Sequence, residues 1–330
     1  MKWLHRGALA IGVALFAWLI ARVGVERLWQ EAARLGWGIV VIVALEGVAD
    51  LLHTAAWRLC FWPRFRRSVW QLWGPNLAAN AINFLTPTAT LGGEVVRATL
   101  LPRHLPRTEV AAALTINRLT ETIADLTVSL IGVAVVLLSA RLPLAAQLGI
   151  VTAALLLTAG IVGFLLAQRG GRLAGWLTSL PLVDRLLVGE RGDRVARGAG
   201  EFDRRLATFH AEGTATLIAS VALHAGGLAF GALQLAIFLS LVGQPHDLRT
   251  VAFVFTVGKA LDMAAFFIPA RLGVQEGARV LAMTLVGIPG SLGLLFSLVL
   301  RLEQVVWTAI GLAAYASIVG LRRRGMKAVA

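Results

Sequence analysis

The chain has 330 residues, a formal net charge of +13 and a hydrophobic fraction of 58%, with a mean hydropathy of +0.77. A run of roughly 20 apolar residues suffices to cross a bilayer, and several runs here reach that length, which excludes a soluble globular domain. The positive charge lies in short connecting segments, as the inside-positive bias of membrane proteins requires. No basic stripe interleaved with aromatics is present to take nucleic acid.

The apolar segments fall near 7–23, 37–57, 72–101, 110–138, 144–167, 214–242, 250–288 and 290–320. Lys2 and Arg6 put the N-terminus inside, and Ala21-Arg22 offers no small-x-small cleavage site, so the first segment is expected to stay as an uncleaved helix. After the second crossing, Arg58, Arg64, Arg66 and Arg67 mark the cytoplasmic side. Arg103, Arg107 and the eight arginines between Gln168 and Glu212 remain on that side only if 72–101 dips into the membrane and returns. Two arms of about 12–15 residues would each reach roughly 20 Å as helices, past the midplane of a core about 30 Å thick but not across it. The connection 243–249 is poor in positive charge and reads as external, whereas 322–327 is strongly basic and reads as internal. Hence 250–288 is expected to enter and leave from outside.

These signs predict an all-α polytopic membrane protein with about six transmembrane helices and two re-entrant helical hairpins in an inverted-topology repeat. The expected division of this single membrane domain, 1–330, is an N-terminal helix and linker (1–36), a first repeat with one extra crossing (37–167), a cytoplasmic amphipathic linker (168–213) and an inverted second repeat (214–330). Both termini are expected in the cytoplasm, with the chain in a bacterial inner membrane.

The two hairpins carry one pattern twice. Pro87 precedes Glu94 by seven residues and Pro269 precedes Glu276 by seven; Arg97 and Arg279 each follow three residues later. Gly92, Gly93 and Gly273 fall between proline and glutamate, and Asn80 and Asp262 each stand seven residues before the proline. Farther on come Arg118 with Glu121, and Arg301 with Glu303. Matched polar positions in two apolar stretches indicate internal duplication, a common basis of membrane carriers. Irregular backbone at membrane depth is tolerated only where protein or a water-filled cavity surrounds it, and charges there default to a functional reading.

A carboxylate in a helix's first turn is favoured by the helix dipole. The amides of that turn plus an arginine also suit a phosphate. Glu94, Arg97, Arg118, Glu121, Glu276, Arg279, Arg301 and Glu303 are therefore the candidate substrate-binding residues, with internal pairing that merely locks each hairpin as the alternative. Arg118 and Glu121 share a helix face at i,i+3, whereas Arg301 and Glu303 at i,i+2 do not, so Arg301 is expected to reach a hairpin carboxylate. Glu46, Asp50, His53 and Trp57 form one helical stripe, a proton relay or a set of counter-charges. His224, Gly227, Gly231 and Gln234 likewise share a face, with the glycines read as sites of close helix packing.

No hydrolase, metalloprotease or nucleotide-binding signature occurs, the six histidines are scattered and the single cysteine, Cys60, can form no internal disulfide. No catalytic residue, metal or cofactor is expected.

Pro87-x4-Gly92-Gly93-Glu94-x2-Arg97 with Arg118-x2-Glu121, then Pro269-x3-Gly273-Val-Gln-Glu276-Gly277 and Arg301, resembles the lysylphosphatidylglycerol synthase transmembrane-region family, also called flippase-like. The resemblance covers nearly the whole chain. It implies movement of an anionic or glycosylated lipid across the membrane, with membrane lipids as partners and a separate lipid-modifying enzyme as a further one. Only the membrane part of the two-module members is expected here; stand-alone relatives include hopanoid-associated ones. Two alternatives stay open: a membrane-embedded transferase acting on a lipid-linked substrate with Glu94 or Glu276 as base, and an accessory subunit of a lipid-modifying enzyme. Ala270-Arg271 follows Pro269 where the family pattern would have a glycine-rich turn.

Overall fold

The computed structural model describes residues 25–85, 91–102, 104–139, 213–264 and 273–327, with short pieces between 144 and 163 and between 200 and 208. The described elements are helices: α1 (Val25–Leu35), α2 (Gly38–Leu59), α3 (Val69–Leu85), α4 (Leu91–Leu100), α5 (Arg107–Ser139), α6 (Thr214–Leu241), α7 (Leu248–Ala264), α8 (Val274–Leu285) and α9 (Gly290–Lys327), with a 3-10 turn at Pro63–Phe65. No strand occurs among the described residues.

Helix boundaries follow local chemistry. Gly36, with φ of 46°, turns the chain between α1 and α2 at an angle costly for other residues. At the far end of α2, Arg66 donates from Nε to the Phe61 carbonyl at 3.2 Å and from Nη2 to the Leu59 carbonyl at 3.4 Å, supplying partners that the last turn lacks. Helix α7 is preceded by Asp247, whose Oδ1 accepts the amides of Arg249 and Thr250 at 3.0 and 3.2 Å, the arrangement of an N-cap.

Four helices are long and apolar enough to cross a membrane: α2, α5 over Arg107–Leu138, α6, and α9 over Gly290–Leu321. The intervening helices are shorter, at 17, 10, 17 and 12 residues for α3, α4, α7 and α8. At 1.5 Å per residue even the 17-residue arms reach only about 26 Å. Four spans among the described residues stand against the six expected. The predicted crossing 7–23 lies outside the described residues, 144–167 is described only in short helical pieces, and the linker 168–213 lies almost wholly outside them.

Packing interleaves the two halves. Helix α2 lies along α6; α3 packs on α9, and α7 packs on α5, so the first arm after each opening span rests on the closing span of the other half. Close approach is built with glycine. A Cβ at Gly311 of α9 would sit 2.3 Å from the Leu77 carbonyl of α3, and one at Gly132 of α5 would sit 1.8 Å from Thr256 Oγ1 of α7. Small residues let membrane helices meet at backbone distance.

Two apolar clusters occupy opposite ends of the bundle. One gathers Trp57, Cys60, Phe61, Leu72, Leu101, Leu105 and Ile116 at the arginine-rich end. The other gathers Ile42, Leu235, Phe238, Leu239, Val254, Met283, Leu292, Leu295, Phe296 and Val299 at the end bearing the 242–248 and 286–290 connections. On α2 the two clusters are marked by Ile42 and Trp57, about 22 Å apart along the helix. Glu46, Asp50 and His53 lie between them. On α6, Ser220, His224 and Gln234 likewise fall between Leu217, packed against the first cluster, and Leu235 of the second. A polar belt is thus sealed between two oily plugs, while Val40, Val48, Ile131, Ile218, Leu233, Val305 and Ile310 face outward, as lipid contact requires.

Candidate functional site

The first hairpin is held by a chain of hydrogen bonds running from α2 through α3 to α4. Asp50, 6% exposed, accepts from Trp73 Nε1 at 2.8 Å, Asn76 Nδ2 at 2.9 Å and Asn80 Nδ2 at 2.7 Å. Asn80 passes the connection on, its Oδ1 accepting from Arg97 Nη2 at 3.1 Å. Arg97 also donates from Nη1 to Glu94 Oε1 at 3.1 Å and lies over the Trp57 ring at 5.6 Å. A carboxylate buried among three donors needs no cation in contact. The internal pair of Glu94 and Arg97, the alternative to a substrate-binding role, forms in the opening turns of α4. Gly92 and Gly93 lie inside that helix rather than in the break, and the Gly93 amide donates to Asn83 Oδ1 at 2.7 Å. A Cβ at Gly93 would collide with that amide group at 2.3 Å.

In the second hairpin Gly273 sits at the N-cap of α8 with φ of 76°. Glu276, in the first turn of α8, is fully buried and accepts from Arg301 Nε of α9 at 2.7 Å. The expectation that Arg301 would reach a hairpin carboxylate is met. Pro87 and Pro269 lie outside the described residues.

The closing spans carry a matched arrangement with one surprise. Arg118 Nη1 donates to Glu121 Oε2 at 2.9 Å, and Arg301 Nη1 donates to Gln304 Oε1 at 3.0 Å. The counterpart of Glu121 is therefore Gln304, at the same three-residue spacing, and not Glu303. Glu303 points across the bundle, where Gln234 Nε2 donates to its Oε2 at 2.7 Å and also to the Ile42 carbonyl at 2.9 Å. Arg279 Nη1 donates to the Gln275 carbonyl of its own helix at 3.4 Å.

Of the four arginines and four carboxylates, Glu94, Arg118 and Glu303 line two separate cavities. One, of about 520 Å³, is lined by Glu94, Arg118, Thr115, Thr122, Leu114 and Leu119. Glu94 Oε2 is buried and has no hydrogen-bond partner. The other, of about 130 Å³, is lined by Glu46, Asp50, Asn80, Glu303, Gln304 and Trp307 among others. The predicted α2 stripe thus splits: Glu46 and Asp50 face this smaller chamber, His53 turns to α6, and Trp57 belongs to the apolar cluster at the arginine-rich end.

Several contributors gave no warning in the charge pattern. Asn76, Asn80 as an acceptor, Trp73 and Gln304 are neutral polar residues in apolar helices. Lys259 of α7 pairs with Asp125 of α5 across the two halves. The predicted α6 face holds, with His224, Gly227 and Gln234 all buried. Among the described residues no group of three or more His, Cys, Asp or Glu is arranged to hold a metal ion.

No curated protein and no solved structure matches the chain. A family model described as the lysylphosphatidylglycerol synthase TM region matches residues 7–311. With apolar spans enclosing a charged belt and that match extending over nearly its full length, the chain is an integral membrane protein belonging to the lysylphosphatidylglycerol synthase transmembrane-region family.

Proposed function

We propose that the protein moves an anionic or glycosylated membrane lipid between leaflets, its headgroup passing through the polar belt while the acyl chains stay in the bilayer. The observation that carries this reading is the larger cavity. Leu114 and Leu119 offer an apolar wall, and Arg118 and Glu94 stand on the same lining. An arginine there suits a lipid phosphate, and a carboxylate such as Glu94 suits a hydroxyl or ammonium donor on the headgroup. An unaided polar headgroup faces a large desolvation cost in the hydrocarbon core, which such a lining lowers.

The interleaved packing supports an inverted repeat of 37–167 and 214–330, each hairpin entering from its own side, with six crossings in the whole chain. The two hairpin carboxylates differ in a way that suits alternating access. Glu276 is bound by a span arginine at 2.7 Å, whereas Glu94 faces a cavity with Arg118 on its wall. The lipid leaves one interface at the open hairpin and exits as one half rocks against the other. Residence in a bacterial inner membrane, with both termini cytoplasmic, and supply of the lipid by a separate modifying enzyme complete the reading.

The test is reconstitution of purified protein into liposomes with fluorescent phospholipids or a polyprenyl phosphate, read by quenching from outside. Acceleration by the intact protein, lost in Glu94→Gln and Arg118→Ala, is the expected result. A folded protein that accelerates none of these lipids overturns the proposal.

A further inference from the structure

One polar contact joins the two halves outside the sites described so far. His53 of α2 and His224 of α6 meet through their Nδ1 atoms at 2.7 Å, 171 residues apart in sequence. Two imidazole nitrogens at that distance share one proton, since two N–H groups or two lone pairs would repel. The tautomers follow from the next contact: His224 Nε2 lies 3.3 Å from Asn117 Oδ1, and an oxygen only accepts. His224 therefore carries its proton on Nε2 and accepts at Nδ1, so His53 donates from Nδ1 and keeps a lone pair on Nε2. That nitrogen faces Gly227 of α6, where a Cβ would sit 2.6 Å away. The missing side chain is what admits the ring.

This pair holds no charge as packed. His224 is 1% exposed, no carboxylate hydrogen-bonds either ring, and a cation there loses its hydration without a bonded counter-ion. The charged groups that face it are Asp50 on α2, Arg97 on α4, and Arg118, Glu121 and Asp125 on α5; Glu121, Arg118, Arg97 and Asp125 are themselves partnered. A proton arriving at His53 Nε2 finds Gly227 of α6 against it while α2 lies on α6, and water to solvate it only after the helices part. A ligand that binds one state better shifts the population toward it.

We propose that His53 and His224 form a one-proton site between the two halves, and that loading it parts α2 from α6, so that protons drive the rocking step. The inference rests on the transport reading for its purpose, but the motion can be read without any lipid assay. A spin-label pair at Val48 and Leu233, lipid-facing positions 41% and 43% exposed, is placed on a Cys60→Ser chain in nanodiscs. Distances are then measured across about two pH units on either side of the ordinary histidine value near 6.5.

A single short distance is expected at the alkaline end. Below about pH 6.5 a longer-distance population grows, its ratio to the short one rising up to about tenfold per pH unit, as linkage to one proton demands. In the double variant His53→Gln/His224→Gln, which keeps hydrogen-bonding side chains but has no imidazole to take the proton, the ratio is flat with pH. An unchanging distance in the parent chain, or the same pH dependence in the double variant, overturns the proposal. Should that variant fail to fold, nitrogen-15 histidine spectra of the parent chain decide: two rings titrating independently as exposed histidines would also overturn it. Absence of lipid movement in liposomes alongside a pH-dependent distance would count against the transport reading and leave the proton site standing.

Discussion

Arg301 of α9 reaches back to Glu276 of α8, Nε to Oε1 at 2.7 Å, around a carboxylate with no exposed surface. The contact ties the returning arm of the second hairpin to the span that follows it. Removing one member of a buried pair leaves an uncompensated charge, which costs about 3–5 kcal/mol, whereas replacing both with apolar residues of similar volume is often neutral. Arg301→Met is therefore expected to lower the thermal midpoint in detergent sharply, and Glu276→Leu combined with Arg301→Met to recover most of it. Equal losses in the single and double variants would show that the pair does not hold the hairpin.

The closing span of the first half should respond differently. The Arg118 and Glu121 side chains are 49% and 31% exposed, and exposed pairs are worth about 1 kcal/mol or less. Arg118→Ala should leave the unfolding midpoint nearly unchanged while cutting lipid movement by tenfold or more, on the order of 1.4 kcal/mol. Melting and liposome quenching on the same preparation check both halves of this statement.

Asp50 organises three donors from α3, so its loss orphans Trp73, Asn76 and Asn80 together. Asn76, the buried one of the three, costs about 1–3 kcal/mol when left without a partner. Asp50→Ala is expected to be among the most destabilising single changes in the chain. Asp50→Asn, which keeps one accepting oxygen, should lose less, as monodisperse yield and melting will report.

Glycines at helix crossings separate by what they meet. A Cβ at Gly311 would press on the Leu77 carbonyl, which is backbone, whereas one at Gly132 would press on the Thr256 hydroxyl, which can rotate away. Overpacking of a rigid contact costs about 1–3 kcal/mol. Gly311→Ala should therefore melt well below Gly132→Ala, and the reverse order would show that α3 and α9 are not held at backbone distance.

Outside the membrane, Asp247 caps α7. Hydrogen bonds from the Thr250 hydroxyl, then from the Thr250 and Arg249 amides, hold its carboxyl below the ordinary aspartate value. A lowered folded-state value means that the stabilisation is fully present above the unfolded value of about 3.9 and is lost as pH falls through the folded one. Amide exchange at Arg249 and Thr250, corrected for intrinsic rate, should therefore quicken below about pH 4. In Asp247→Ala it should be fast at every pH.

What the sequence determined is whatever depends on near neighbours along the chain. Apolar length gave the described spans, and the three-residue spacing put Glu94 on Arg97 and Arg118 on Glu121, because one turn of helix fixes those contacts wherever the helix lies. The tertiary structure alone chose Gln304 over Glu303 as the partner within the arginine turn, turned Glu303 to Gln234, and brought His53 to His224. Those choices depend on how each helix is rotated about its axis and which neighbour it crosses. Neutral amides such as Asn76, Asn80 and Gln234 carry no charge that would betray them in an apolar run. Their part is assigned only when two helices meet and a buried carboxylate must find its donors.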